Sequence, residues 1–216
     1  MEIIALAWNL LVHLDQHLSE LIRDYGVWIY AILFLIVFAE TGLVVTPFLP
    51  GDSLLFVAGT LWAGAGMNVH GLVALLVVAA VLGDAVNYSV GAYLGPKVFQ
   101  WPDSRWFNRR ALDAAHAFYE RHGGKTIIIA RFVPLVRTFA PFVAGIGQMT
   151  YVRFASYNVI GALAWVVLLV YAGYFFGNIE IIRRNLTVVI FAIIGISLAP
   201  VAWQWWRTRV RSANSA

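Results

Sequence analysis

Long apolar runs separated by short polar stretches dominate the chain. Runs of about 20 residues, enough to cross a hydrocarbon core of roughly 30 Å, lie at 71–95, 154–178 and 186–206. Segments such as 73–81 are continuously apolar, whereas the strands of a membrane barrel alternate apolar and polar residues. The pattern therefore predicts an all-α membrane protein that crosses the bilayer several times, because helices satisfy their own backbone groups in lipid.

Two other apolar stretches are interrupted and are predicted to enter the membrane without crossing it. The residues that break them are Pro47, Pro50 and Gly51 in the first stretch and Pro134 and Pro141 in the second. Proline removes a helix hydrogen bond, and the limb after the first break, residues 52–65, would reach only about 21 Å as a helix. Each stretch is therefore predicted to fold as a re-entrant hairpin that is buried in protein.

Composition and charge agree with a membrane protein and predict its orientation. Of the 216 residues, 61% are hydrophobic and 12% are charged, with a mean hydropathy of +0.78, and soluble domains carry about twice that share of charge. Lysines and arginines cluster in 97–125 and in the tail 207–216, and the positive-inside rule places both segments in the cytoplasm. Two spans between them already return the chain to the same side. The stretch 126–150 is therefore predicted to enter and leave from the cytoplasmic face, and the first hairpin from the outer face.

The two halves of the chain share one order of features, which predicts an inverted repeat. Repeat 1, about 14–96, and repeat 2, about 111–178, each contain an amphipathic surface stretch, a broken apolar hairpin and a full span. The corresponding glycines are Gly59 and Gly145, Gly83 and Gly161, and Gly91 and Gly173. Paired interrupted segments of opposite orientation point to a transport site near the middle of the membrane. The predicted organisation is one membrane domain, residues 1–206 with a final span at 186–206, followed by the basic tail.

Four ionisable residues lie in the broken segments, and such residues inside a membrane are functional candidates by default. They are Glu40, Asp52, Arg131 and Arg137. The two arginines are predicted to bind phosphate, because a guanidinium offers two parallel N–H donors and helix N-termini add free backbone N–H groups. Burial disfavours the charged form of a carboxylate, so the two acids are predicted to carry protons. The same four side chains could instead form two ion pairs that only hold the hairpins together.

Other polar residues in the apolar runs have weaker functional interpretations. Asp84, with Asn87 and Tyr88 about one turn further on, could form a supporting polar patch inside the bundle. No metal site, cofactor or enzyme activity is predicted, because the chain has no cysteine and none of its five histidines lies in a broken segment. The basic clusters flank spans and are typical of topology signals, so no nucleic-acid binding is predicted. Tryptophans beside apolar runs, Trp62 among them, are expected to anchor the membrane interface.

Three motifs resemble the signatures of the DedA family. They are Phe38-Ala39-Glu40-Thr41-Gly42, Pro47-x-x-Pro50-Gly51-Asp52, and Arg131-Phe132-x-Pro134-x-x-Arg137-x-x-x-Pro141-x-x-x-Gly145. The resemblance extends over about 20–210. It implies opposed re-entrant hairpins in the bacterial inner membrane and recycling of undecaprenyl phosphate from the outer to the inner leaflet, linked to the proton motive force. It also implies that the four charged residues of the broken segments are essential.

Two other functions are open at this point. The carboxylates could serve a proton-coupled exporter of ions or cationic drugs, in which case the arginines would be structural. A protein that supports envelope integrity without transport would have no substrate. Lipid binding that depends on Arg131 and Arg137 would separate the flippase from both alternatives. The expected partners are the lipid phosphate and protons, and the sequence leaves a homodimer open.

Overall fold

A computed structural model describes residues 27–43, 51–98 and 123–185, with six further positions between 188 and 195. Every regular element in the three long ranges is a helix, as the hydropathy pattern predicts. Several predictions lie outside the described residues. They concern residues 1–26, Pro47, Pro50, the basic loop 99–122, most of the span 186–206 and the tail 207–216.

Two long helices and several short ones make up the described chain. They are α1 Trp28–Gly42, α2 Gly51–Ala65, α3 Val69–Val98, α4 Lys125–Ala130, α5 Pro134–Ile146, α6 Tyr151–Phe176 and α7 Glu180–Arg184. Val69–Gly95 within α3 and Tyr151–Phe176 are long and apolar enough to cross a membrane. These two match the spans predicted at 71–95 and 154–178. The shorter helices reach at most about 23 Å, less than the roughly 30 Å of a hydrocarbon core.

The short helices pack against the two long ones in a crossed arrangement. Helix α1 packs against α3 and α4 packs against α6, so the first limb of each broken segment lies on the long helix of its own half. Helix α2 packs instead against α6, and α5 packs against α3. The second limb of each segment therefore crosses to the long helix of the other half, and this exchange holds the two halves together.

Glycines let α2 and α6 approach until their backbones touch. A Cβ atom at Gly59 would overlap the carbonyl oxygen of Val170, and a Cβ atom at Gly173 would overlap the carbonyl oxygen of Phe56. The hydroxyl of Thr60 lies at the same contact and reaches the carbonyl oxygens of Phe56 at 3.1 Å and of Gly173 at 3.2 Å. Small residues with interhelical hydrogen bonds are a common basis of helix association in lipid, where apolar side chains gain nothing by leaving water.

The same kind of contact joins α5 and α3. A Cβ atom at Gly145 would overlap the carbonyl oxygen of Tyr88, and a Cβ atom at Gly91 would overlap that of Phe142. Gly91 therefore has the place in the α3–α5 contact that Gly173 has in the α2–α6 contact. Any larger residue at these positions would force the helices apart.

The apolar core lies between α1, α2, α3 and α6. It includes a tryptophan that the sequence predicts at the membrane interface. Leu33, Leu55 and Val166 are completely buried. Trp62 is also completely buried, and its indole N–H donates to the hydroxyl of Tyr30 at 3.1 Å. The prediction that Trp62 anchors the membrane interface is therefore wrong. Hydropathy shows which run a tryptophan borders, but it does not show which helices cover that face.

The two prolines of the second broken segment have different effects. Helix α5 begins at Pro134, directly after Val133 in an extended conformation, and a proline in the first turn costs no helix hydrogen bond. Pro141 lies inside α5, so the prediction that it breaks the helix is wrong. Its ring removes one hydrogen bond, to the carbonyl of Arg137. The remaining turns, packed on α3, keep the helix continuous.

Candidate functional site

Arg137 joins the two broken segments. Glu40 lies in the last turn of α1, Asp52 in the first turn of α2 and Arg137 in the first turn of α5. The Nη1 atom of Arg137 donates to Oδ1 of Asp52 at 2.6 Å, and its Nη2 atom donates to Oε1 of Glu40. A single guanidinium thus binds one carboxylate on each side of the first segment's break.

These three side chains are largely shielded from solvent, and a glycine leaves room for one of them. The exposed side-chain fraction is 1% for Glu40, 9% for Arg137 and 16% for Asp52. Gly51 begins α2, and a Cβ atom there would overlap the carboxylate of Glu40. The glycine predicted as a break therefore also makes room for the acid. Loss of one partner from a buried ion pair costs about 3–5 kcal/mol, because the other charge is left uncompensated.

Arg131 binds a different carboxylate, that of Asp84 on α3. Its Nη2 atom donates to Oδ2 of Asp84 and, at 2.6 Å, to Oδ1 of Asn158 on α6. The Nδ2 atom of Asn158 donates to the carbonyl oxygen of Val81 at 3.1 Å, so the amide oxygen faces the guanidinium. Arg131 and Asp84 are both buried. The four charged residues of the broken segments therefore do not form two ion pairs among themselves, because Asp84 is a third carboxylate.

The three polar residues predicted as one patch on α3 are buried but have separate partners. Asp84 binds an arginine, whereas Asn87 donates to the carbonyl oxygens of Thr41 at 3.2 Å and Thr138 at 2.8 Å. Asn87 therefore ties the end of α1 to α5. The hydroxyl of Tyr88 donates to a carbonyl in the turn before α6. The three diverge because different segments pack against this face of α3.

Trp165 on α6 belongs to the cluster, although the sequence did not single it out. Its indole N–H donates to Oδ1 of Asp52 at 2.8 Å. The centroid of its ring lies 5.0 Å from the Cζ atom of Arg137 and 5.7 Å from that of Arg131, within the roughly 6 Å range of cation–π attraction. Asn158 and Trp165 are two helical turns apart and share a face. An asparagine and a tryptophan two turns apart in an otherwise apolar span are the sequence pattern that could have identified both residues.

A very small cavity lies among these charges. It has about 10 Å³ of room, enough for about one water molecule, and its lining includes Asp84, Arg131 and Arg137. The Oε2 atom of Glu40 and the Nε atom of Arg137 are buried without a hydrogen-bond partner among the described residues. Buried polar atoms of this kind favour the binding of a further polar group.

Five charged side chains thus form one cluster halfway along the long helices, since Asp84 lies midway along α3 and Trp165 midway along α6. Each guanidinium interacts electrostatically with the other and with at least two carboxylates. Three carboxylates against two guanidiniums give a formal charge of −1 when all five are ionised. Within the described ranges, no three His, Cys, Asp or Glu side chains are placed to hold one metal ion.

Comparison with known proteins identifies the family. The VTT domain matches residues 49–175, and Protein DedA of Escherichia coli (strain K12) is 56% identical over 218 residues, which cover 100% of both chains. The chain belongs to the DedA family. Inner membrane protein YqjA of Escherichia coli (strain K12) is a further relative, 37% identical over 160 residues, or 72% of this chain and 71% of YqjA. An uncharacterized membrane protein of Mycobacterium leprae (strain TN) is 40% identical over 183 residues, 83% of this chain and 82% of that one. No solved structure matches the chain.

The family assignment and the structure agree on the coarse description of the protein. Two of these DedA relatives are named as membrane proteins, and the two long apolar helices fit that description. The chain is therefore an all-helical membrane protein in the described ranges. The matched VTT domain contains every charged residue of the cluster except Glu40, which lies before its first residue.

Proposed function

We propose that this DedA-family protein is a transporter rather than an enzyme, and that it moves undecaprenyl phosphate or a similar lipid phosphate from the outer to the inner leaflet of the bacterial inner membrane. The observation that supports this proposal is the cluster of two buried arginines and three carboxylates halfway along two apolar helices. Charged groups at that depth are costly, and they are retained where they bind a substrate or move ions.

The proposed architecture is a pair of opposed re-entrant hairpins related as an inverted repeat. The crossed packing of α2 on α6 and of α5 on α3 supports a two-fold relation between the halves. The matching glycine contacts at Gly59 and Gly145 support it as well. The basic residues of 97–125 and 207–216 support a cytoplasmic C-terminus. Movement of either hairpin would open the shared site to one side of the membrane at a time.

The arginines suit a phosphate headgroup, but carboxylates already bind them. A phosphate must displace Asp84 from Arg131, and it must displace Glu40 and Asp52 from Arg137. Protonation of a carboxylate removes its charge and weakens its hold on the guanidinium. Phosphate binding and proton binding therefore favour each other, and this competition couples transport to protons without a separate proton path.

The membrane potential gives the coupling its direction. The potential is negative inside, so moving a phosphate dianion inward against about 100 mV costs roughly 4.6 kcal/mol, at about 2.3 kcal/mol per charge. Two protons that enter with each dianion make the step electroneutral. The pH gradient alone then drives the lipid inward.

A proton-coupled exporter of ions or cationic drugs fits these contacts less well. Such an exporter needs carboxylates that are free to bind a cation. All three carboxylates of the cluster bind a guanidinium instead. An envelope protein without transport activity would move no lipid, and the following experiment distinguishes it from the flippase.

The test is the transbilayer movement of labelled undecaprenyl phosphate in vesicles with and without the protein, under an acidic exterior. We expect inward movement to be at least about tenfold faster with the protein, which corresponds to about 1.4 kcal/mol of barrier. Equal rates in the two preparations would refute the proposal and favour the envelope-integrity alternative.

The arginines are tested by Arg131→Lys and Arg137→Lys, which keep the charge and lose the planar fork. Binding of undecaprenyl phosphate should weaken by about 1–3 kcal/mol in each. Arg153→Lys is the matched control, because Arg153 is exposed near the start of α6. Affinities equal to that of the control would mean that the two arginines only balance the carboxylates.

A further inference from the structure

Asp84 gives the cluster one more carboxylate than the two-proton scheme uses. Glu40 and Asp52 share the single guanidinium of Arg137, while Asp84 has Arg131. If all five groups were ionised, the pair Glu40–Asp52 would therefore leave one negative charge uncompensated. An uncompensated charge in the membrane interior costs several kcal/mol, and a titratable group avoids that cost by binding a proton.

We propose that Glu40, Asp52 and Asp84 form a single proton-binding site that holds one proton without the lipid and takes up two more for each phosphate dianion that binds between Arg131 and Arg137. This inference rests on the proposed transport function and specifies its coupling. It makes Asp84 a proton-binding group of the carrier, in addition to the two acids of the first broken segment.

The charges balance in both states. Without lipid, two guanidiniums face two ionised carboxylates and one protonated carboxylate, so the net charge is zero. With a dianion bound, the phosphate alone balances both guanidiniums, so all three carboxylates must be protonated. The difference is two protons per dianion, and both come from the outer aqueous phase with the lipid and leave on the inside with it.

No other charged group within the described ranges faces this cluster. Helix α1 contributes Glu40, α2 contributes Asp52, α3 contributes Asp84, and the second broken segment contributes the two arginines. Helix α6 contributes only the uncharged Asn158 and Trp165. The balance of three acids and two bases is therefore that of the whole described site.

The experiment is isothermal calorimetry of the full-length protein in detergent with undecaprenyl phosphate, at pH 8, in two buffers of different ionisation enthalpy. A phosphate monoester has its second pKa at about 6, so the lipid is a dianion at this pH. The difference in heat between the buffers gives the number of protons taken up per lipid bound. Undecaprenol, which has no phosphate, is the ligand control, and Glu180→Gln, on an exposed carboxylate of α7, is the protein control.

The shared site predicts a distinctive pattern of proton uptake across a set of variants. The wild type should take up about two protons, and so should Glu40→Gln, Asp52→Asn and Asp84→Asn, because the first neutralisation only removes the resident proton. Neutralising Glu40 and Asp52 together should leave about one, and neutralising all three should leave none. The single variants test the proposal independently, so the loss of one to misfolding leaves the others decisive.

A different pattern of proton uptake would overturn the inference. If Glu40→Gln or Asp52→Asn took up only about one proton while Asp84→Asn kept two, the first two acids would be dedicated proton sites and Asp84 structural. Failure of undecaprenyl phosphate to bind the wild type would overturn the proposed function itself. Binding with no proton uptake would overturn only the coupling.

Discussion

The contact between α2 and α6 connects helix packing to the candidate site, and Gly173→Ala tests that connection. The new methyl group would overlap the carbonyl oxygen of Phe56. Carbon and oxygen atoms normally stay about 3.3–3.6 Å apart, so α2 must move away from α6 by on the order of 1 Å. Asp52 lies one turn before Phe56 on α2, and its contacts with Arg137 and Trp165 are only 2.6 and 2.8 Å long.

Two losses add up in this variant. Overpacking in a tight core costs about 1–3 kcal/mol, and the weakened charge-assisted hydrogen bonds at Asp52 cost about 1.5–3 kcal/mol. We therefore expect the free energy of unfolding to fall by about 2.5–6 kcal/mol.

The assay is unfolding by increasing mole fraction of sodium dodecyl sulfate in mixed micelles, followed by circular dichroism. Gly64→Ala is the matched control, since it makes the same change on α2, where the nearest atom is 3.7 Å away. Alanine has the higher helix propensity, so this control should be unchanged or slightly more stable. If Gly173→Ala were as stable as Gly64→Ala, the close approach of α2 and α6 would not exist as described.

Three further predictions concern the site and the topology. Trp165→Phe keeps the ring and loses the N–H donor to Asp52, so the protein should lose about 1–3 kcal/mol of stability in the same unfolding assay, and an unchanged value would mean that the bond contributes nothing. A cysteine introduced into 103–120 or after Arg209 should react only with reagents on the cytoplasmic side; labelling from outside would refute the proposed orientation. At a fixed pH gradient, imposing a membrane potential of about 100 mV with valinomycin should leave the inward rate unchanged, because two protons and a dianion carry no net charge, and a clear response would refute electroneutral transport.

The long helices and the charged residues of the site could be predicted from the sequence. The spans 71–95 and 154–178 depend on local hydropathy alone, and the structure confirms them as long apolar helices. Charged residues in broken apolar segments stand out for the same reason, since a charge within an apolar run is visible in the sequence whatever its partner. The structure brings Glu40, Asp52 and Arg137 into direct contact.

The partners of those charges could not be predicted, because they depend on which helices cross. The sequence predicts Asp84 as one member of a local patch, but α5 and α6 pack against α3 so that Asp84 contacts Arg131. Trp165 and Asn158 lie in an ordinary apolar span, and only the position of α2 beside α6 brings Asp52 to the indole. Pro141 shows the same limit, since tertiary packing on α3 overrides its effect on the helix.

The small size of the central cavity has a consequence for the energy supply of the cell. Room for about one water molecule is too little for a continuous file of water, and ions or free protons need such a file to leak through a membrane protein. The bridges from Arg131 and Arg137 span the space between α1, α2, α3 and the second broken segment. The proposed carrier, closed in this way, can remain in the membrane in many copies, idle between substrate molecules, without depolarising the cell.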